Sequence, residues 1–216
     1  MKISAVIFDL NGTILEDEDE YGHAFNKVLK SLGVETNAEP PQIKGIGVKE
    51  NWPHLIKRYG IKTTKSLEQL ANETQEAYLT EINNVTVRPG FDEFVESLKE
   101  SGIQIALATS NTWETAEKVL NKVGLGGVFD AVTTVEEVAY GKPDPGLFTL
   151  TADKLGAERE KCLVIEDSAS GIAAAQLAGM KVVALSGREE DEKLLANADL
   201  IVENFSDITP KAIEEL

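Results

Sequence analysis

Apolar positions in this chain fall into short continuous runs that alternate with stripes at helical spacing. The run from Lys2 to Phe8 predicts a first strand. From about Glu20 to Leu32, the residues Phe25, Val28, Leu29 and Leu32 recur on one helical face, and Gly33 follows as a stop. Pro40 and Pro41 break the chain. Two more helical stretches are predicted, roughly Lys49 to Tyr59 and Ser66 to Ile82, and no strand pattern lies between Glu35 and Asn83.

After Arg88-Pro89-Gly90 the rhythm changes to alternating helices and strands. Helices are predicted over about Phe91–Ser101, Trp113–Val123, Pro145–Leu155 and Ser168–Ala178. Strands are predicted at Ile103–Ala108, near Val128–Thr133, at Cys162–Ile165, Lys181–Leu185 and Leu200–Val202, with a terminal helix last. Strands that are continuously apolar, each followed by a helix, indicate a parallel sheet covered on both faces. The expectation is a doubly wound, Rossmann-like α/β core formed by residues 1–15 and 86–216. An all-helical cap, residues 16–85, is inserted after the first strand.

In open parallel sheets the chemistry sits at the carboxyl ends of the strands, and here those ends carry polar residues together. Asp9 and Asn11 follow the first strand in Asp9-Leu10-Asn11-Gly12-Thr13. An aspartate there is a carboxylate nucleophile toward phosphorus, a magnesium ligand, or both; the plainer reading is an Asx-turn. Glu166-Asp167 follows another apolar strand, and two carboxylates beside Asp9 call for a cation; the plainer reading is that Asp167 or Ser168 caps a helix. Lys142, between Gly141 and Pro143, can neutralise phosphoryl oxygens or is an ordinary loop lysine. Thr109, Ser110 and Asn111 end a strand where hydroxyl and N–H groups can grip a phosphoryl group or cap the next helix. Together these parts match phosphoryl transfer, which needs a nucleophile, charge neutralisation and donors around the equatorial oxygens.

Composition narrows the field further. The 216 residues carry 37 acidic against 21 basic side chains, a net charge of -16, which argues against a general nucleic-acid binder. One cysteine excludes a disulfide framework and a cysteine-rich metal centre, and Cys162 reads as strand packing. No apolar stretch approaches the length of a membrane span, and no leader pattern precedes Asp9. The expectation is a cytoplasmic protein without membrane or nucleic-acid partners, a monomer or weak homodimer. Between Lys44 and Lys65 the sign of charge reverses: Lys44, Lys49, Lys57, Arg58, Lys62 and Lys65 stand against Glu50 alone. Lys49, in the first turn after Gly47, is the single residue expected to reach the substrate from the cap, against a plainer reading of this segment as a solvated face. Trp52 can pack or stack on a ligand.

The four strand-end motifs, in this order and across nearly the whole chain, resemble the haloacid dehalogenase-like hydrolases, in the phosphatase and β-phosphoglucomutase-like branch with a helical cap. The resemblance implies that Asp9 is the nucleophile, that Thr109 binds phosphate and that Lys142 stabilises it. It also implies that Mg2+ sits on Asp9, the backbone carbonyl of Asn11 and Asp167, with Glu166 holding the metal directly or through water. In that family an aspartate usually stands where this chain has Asn11, and it exchanges the proton of the leaving oxygen. Asparagine cannot do so near neutral pH. Three readings of Asn11 are open: a deliberate Asp-to-Asn change that traps a complex, which is favoured; a slow or silent member that binds phosphorylated ligands; or an acid–base role taken by another group such as Asp17, Glu18 or His23. The expected activity is that of a magnesium-dependent phosphatase of a small phosphorylated metabolite, phosphoglycolate or a sugar phosphate, acting through an aspartyl-phosphate and impaired by Asn11. The alternatives are a β-phosphoglucomutase-like mutase and a non-catalytic phosphate-ligand binder.

Overall fold

The computed structural model describes residues 2–36, 41–186, 192–209 and 212–213. Six parallel strands form the main sheet: β1 (Ala5–Phe8), β4 (Gln104–Thr109), β5 (Ala131–Thr134), β6 (Cys162–Glu166), β7 (Lys181–Leu185) and β8 (Leu200–Val202). Their spatial order is β5-β4-β1-β6-β7-β8. The first strand is thus central, and the order of strands reverses around it, which opens a crevice at its carboxyl end.

The strands are apolar throughout because both faces are covered. Val6 and Phe8 point to one side, where Phe8 meets Phe91 and Phe94 of α4 (Phe91–Glu100) at ring separations of 5.5 and 6.1 Å. Ala5 and Ile7 point to the other, against Phe148 of α6 (Gly146–Leu155) and Ile172 and Ala175 of α7 (Ala169–Leu177). Each central strand therefore buries both of its alternating sets of side chains.

Helices α1 (Glu18–Ser31), α2 (Val48–Tyr59) and α3 (Leu67–Glu81) make the cap. Trp52 is fully buried among them, tilted against Phe25 at 5.8 Å, and its indole N–H donates to Thr74 Oγ1 at 3.1 Å. It packs and is not open to a ligand. Ser66 and Gln69 start α3 with reciprocal side-chain caps at 3.1 and 2.8 Å. Where the chain enters and leaves the cap, β2 (Leu15–Glu16) and β3 (Thr86–Val87) pair antiparallel. This two-residue ribbon carries no periodicity and was not expected.

Other boundaries also differ from expectation. β1 begins at Ala5 and not at Lys2, and β5 covers Ala131–Thr134, so Val128 and Phe129 pack against the core without joining the ladder. A short α8 (Glu192–Leu195) precedes β8, and α5 (Trp113–Lys122) lies as expected. The terminal helix and Pro40 lie outside the described residues, save for residues 212–213.

Candidate active site

Strand register brings the motifs together. Phe8 lies beside Leu107 on β4 and Ile165 on β6, so the next residues outward are Asp9, Ala108 and Glu166. The Asp9 amide donates to the Ile165 carbonyl at 3.0 Å, which fixes the first residue beyond the strand.

Lys142 reaches this edge from the loop after β5. Its ammonium donates to Asp9 Oδ1, to Glu166 Oε1 at 2.7 Å and to the Ala108 carbonyl at 3.5 Å, so all three protons are placed. The Phe148 ring lies 5.0 Å from Nζ. Burial alone would lower the lysine's pKa, but the Asp9 and Glu166 carboxylates beside it hold it above the ordinary lysine range. Lys142 is therefore a fixed positive charge. Glu166 is fully buried, and its second oxygen accepts from the amides of Asp167 and Ser168 at 2.9 and 2.8 Å and from the Ser168 hydroxyl at 2.8 Å. Both Glu166 oxygens are thus engaged, and the structure places this carboxylate under Lys142. Ser168 also caps α7, accepting from the Gly171 amide at 3.0 Å.

Asp167 comes next to Glu166 and faces the turn after β1. Thr13 donates to its Oδ1 at 3.3 Å. Gly12 lies so close that a Cβ there would fall 2.2 Å from Asp167 Oδ2, and its φ of +77° is one that side chains disfavour. Burial pushes Asp167 well above the ordinary carboxylate range, and Glu166, Glu18 and Asp9 push it further. Burial likewise pushes Asp9 up to about 7 against the pull of Lys142, with Glu166 and Glu18 adding to the rise. One lysine shared between two carboxylates does not offset this concentration of negative charge. The donor set therefore fits a hard divalent cation. Among the described residues, no three Asp, Glu, His or Cys side chains are grouped to hold a metal ion. Two aspartates with a backbone carbonyl and water make the composition that magnesium accepts.

Asn11 lies in a relay of hydrogen bonds. Tyr21 donates to Asn111 Oδ1 at 2.7 Å, Asn111 Nδ2 donates to Asn11 Oδ1 at 2.8 Å, and Asn11 Nδ2 donates to Asp17 Oδ2 at 2.5 Å. Tyr78 donates to the same Asp17 oxygen at 2.6 Å, and its ring stacks on Tyr21 at 3.9 Å. Asp17 is 1% exposed, and burial pushes its carboxyl up to about 7 although Tyr78, Asn11 and the Gly12 amide favour the ionised form. Nothing in the acidic run Glu16–Glu20 singles Asp17 out from its neighbours. Its distinguishing contacts come from Tyr78 on α3 and from Asn11.

A narrow cleft lies between this edge and the cap. Asp9, Asn11, Ser110 and Asn111 line it from the core, and Gln42 and Lys44 from the cap. Thr109 sits fully buried just behind, its Oγ1 accepting from the Asn111 amide at 3.1 Å. Lys49 is not brought to this cleft. It is exposed and paired with Glu68 at 3.0 Å, because the first turn of α2 points it toward α3. Lys44, one of the basic group but not the residue singled out, takes its place.

Comparison with known proteins agrees with this geometry. The family model for haloacid dehalogenase-like hydrolases matches residues 3–179. A phosphorylated carbohydrates phosphatase of Thermotoga maritima is 32% identical over 83% of this chain and 83% of its own. A beta-phosphoglucomutase of Bacillus subtilis is 28% identical over 99% and 95% of the two chains. The crystal structure of a beta-phosphoglucomutase from Clostridium difficile superposes with a TM-score of 0.87 at 26% identity, covering 99% of this chain and 96% of that one. With a parallel sheet, a helical cap and a buried aspartate–lysine pair at the strand ends, this chain belongs to the haloacid dehalogenase-like hydrolases, in the phosphatase and phosphomutase branch.

Proposed function

We propose that this chain is a magnesium-dependent phosphatase of a small phosphorylated metabolite, working through an aspartyl-phosphate on Asp9, with residues 16–85 as a cap over a core of residues 1–15 and 86–216. The observation that carries the reading is Asp9 held by the buried Lys142 at the carboxyl end of the central strand. A carboxylate oxygen of Asp9 attacks phosphorus, and the ester oxygen leaves with the electron pair and takes its proton from water, since Asn11 has none to give. Lys142 balances charge on Asp9 and on the phosphoryl oxygens, and the loop Thr109-Ser110-Asn111 supplies donors to them. Asp9, Asp167 and the backbone carbonyl of Asn11 would hold magnesium, which when bound would add positive charge at this edge. Water then cleaves the acyl phosphate, and the cap limits which water enters.

Asn11 can donate a hydrogen bond to the leaving oxygen but cannot give it a proton. The relay from Tyr21 to Asp17 holds that amide in one orientation, which makes Asp17 a positioning residue for Asn11. The chain is therefore a slow catalyst that retains its ligands. A mutase would need a second phosphate site in the cap. Among the described cap lysines, Lys44 alone lines the cleft, while Lys49 and Lys65 are paired with Glu68 and Glu73, which favours the phosphatase.

The test is Asn11→Asp, assayed by phosphate release from a panel of phosphate esters with magnesium. The expected gain is about 10²–10⁴ in turnover, the contribution of a general acid–base group. No turnover by either form, with ligand still bound, would leave a binding protein in place of an enzyme.

A further inference from the structure

Arg88 is the first residue after β3, where the chain returns from the cap to the core. Its side chain is partly buried and crosses to the loop after β1. Nε donates to the Thr13 carbonyl at 3.0 Å and Nη2 to the Gly12 carbonyl at 2.5 Å, while the Arg88 amide donates to the Ile14 carbonyl at 2.7 Å. One residue thus takes three successive carbonyls. The guanidinium is a planar, charged fork, so it fixes direction as well as distance.

The held segment begins where the metal ligands are expected. The Leu10 carbonyl accepts from the amides of Ile14 and Leu15, both at 2.9 Å. Among the described residues, donors therefore meet the carbonyls of Leu10, Gly12, Thr13 and Ile14, and none meets that of Asn11. Within this run, the Asn11 carbonyl is left for a cation. The two carbonyls gripped by the guanidinium belong to the residues that touch Asp167. Thr13 donates to its Oδ1 at 3.3 Å, and Gly12 packs against its Oδ2. Arg88 therefore sets the loop that carries one ligand against the side chain that supplies another.

Charge alone argues against a cation in this position. Arg88 lines a cavity with Gly12, Asp167 and the acidic run Glu16 to Glu20. A fixed positive charge there opposes the approach of a divalent cation. If Arg88 only balanced those acids, a neutral replacement would tighten metal binding. If it only tied the loop down, the replacement would lower stability and leave the metal affinity of the folded protein unchanged. A positioning role predicts weaker metal binding, opposite in sign to the first case and a different observable from the second.

We propose that Arg88 is a positioning residue for the metal centre, holding residues 12–14 so that the Asn11 carbonyl and Asp167 converge on one cation. This rests on the reading of Asp9, Asp167 and the Asn11 carbonyl as magnesium ligands.

The test is calorimetric titration of magnesium alone, with no phosphate ester, into the parent chain, Arg88→Met and Arg88→Lys, each also followed by urea denaturation. Arg88→Met is expected to bind magnesium about 10- to 100-fold more weakly than the parent, the usual effect of losing a group that orients a metal ligand. Its stoichiometry should stay at one, which reports that the protein is folded. Arg88→Lys keeps the charge but not the fork, and its affinity is expected to fall several-fold. A dissociation constant for Arg88→Met equal to or below the parent's would overturn the proposal, whatever happens to the urea midpoint. If Arg88→Met shows no folded state, Arg88→Lys decides alone, and an affinity equal to the parent's would overturn the proposal. Failure of the parent itself to bind magnesium would overturn the assignment of the metal ligands and this proposal together.

Discussion

Asp9 and Asp17 stand at the two ends of one loop-and-ribbon segment, both almost fully buried, and they are surrounded in opposite ways. Asp9 meets an ammonium, Lys142, that is itself shared with Glu166. Asp17 meets only neutral donors: the Tyr78 hydroxyl, the Asn11 amide and the Gly12 N–H at 3.2 Å. Burial pushes each carboxyl up to about 7, yet the two environments suit different tasks. The proposed nucleophile, Asp9, must carry its charge, and Lys142 is a permanent cation beside it. A group that orients an amide needs direction more than charge, and hydrogen bonds supply direction.

Removing the cation from the first site should have the largest effect. Lys142→Met leaves Asp9 and Glu166 buried without a compensating charge. The expected loss is about 3–5 kcal/mol of stability, measured by urea denaturation. In the Asn11→Asp background, phosphate release should fall by at least about 10²–10³. A Lys142→Met protein as stable as its parent would mean that the two carboxyls are protonated in the folded state, and the distinction between the sites would disappear.

Asp17→Asn probes the second site and should act mainly through pH. The folded-state pKa of Asp17 is raised, so the native protein holds this proton more tightly than the unfolded chain does. The resulting stabilisation is complete below about pH 4 and is lost as pH rises toward 7. A rise from 3.8 to about 7 corresponds to roughly 4 kcal/mol over that interval. The groups that face Asp17 are Tyr78 from α3, Tyr21 and Glu18 from α1, and Asn11. Asp9 and Asp167 also titrate upward, so the informative quantity is the difference between parent and variant, both without divalent cation. That difference should grow with pH in favour of Asp17→Asn and level off above pH 7. A difference independent of pH would show that Asp17 is ionised in both states.

The same contrast explains what the amino-acid sequence revealed and what it concealed. Strands β1, β4, β6 and β7 were legible because burial on both faces demands continuous apolar runs, and the runs of β1, β4 and β6 end in the polar residues of the candidate site. Asp9 and Asp167 could be singled out because charges just beyond apolar strands are conspicuous, and Lys142 because it stands before Pro143-Asp144-Pro145. Asp17 could be named only alongside Glu18 and His23 as a candidate for the proton-transfer role, since an aspartate within Glu16-Asp17-Glu18-Asp19-Glu20 looks like any solvated acid. Tyr78, far along the chain, makes it different. The β2–β3 ribbon escaped because two residues show no period. Lys49 was preferred over Lys44 for its place in a helix, whereas loop packing sets Lys44 on the cleft wall. Gly45 lies so close to the core that a Cβ would come within 1.9 Å of Ser168 Oγ, and this contact brings its neighbour Lys44 to the cleft. The glycines flanking Ile46 were the available signal.

The smallest predicted effect tests that last correction. Lys49 and Glu68 form an exposed pair, half or more open to water on both sides, and pairs of this kind contribute little because solvent screens them. Lys49→Ala should therefore leave the affinity for phosphate esters within about twofold at ordinary ionic strength. Lys44→Ala removes a charge from the cleft wall and should weaken binding of the same esters several-fold more, with the gap between the two variants closing as salt is added. Equal losses from both substitutions would mean that the basic segment acts as a diffuse field over the cap, and that the loop carrying Lys44 contributes no particular contact. A larger loss from Lys49→Ala would require the first turn of α2 to swing toward Asp9 when ligand binds, breaking the 3.0 Å contact with Glu68.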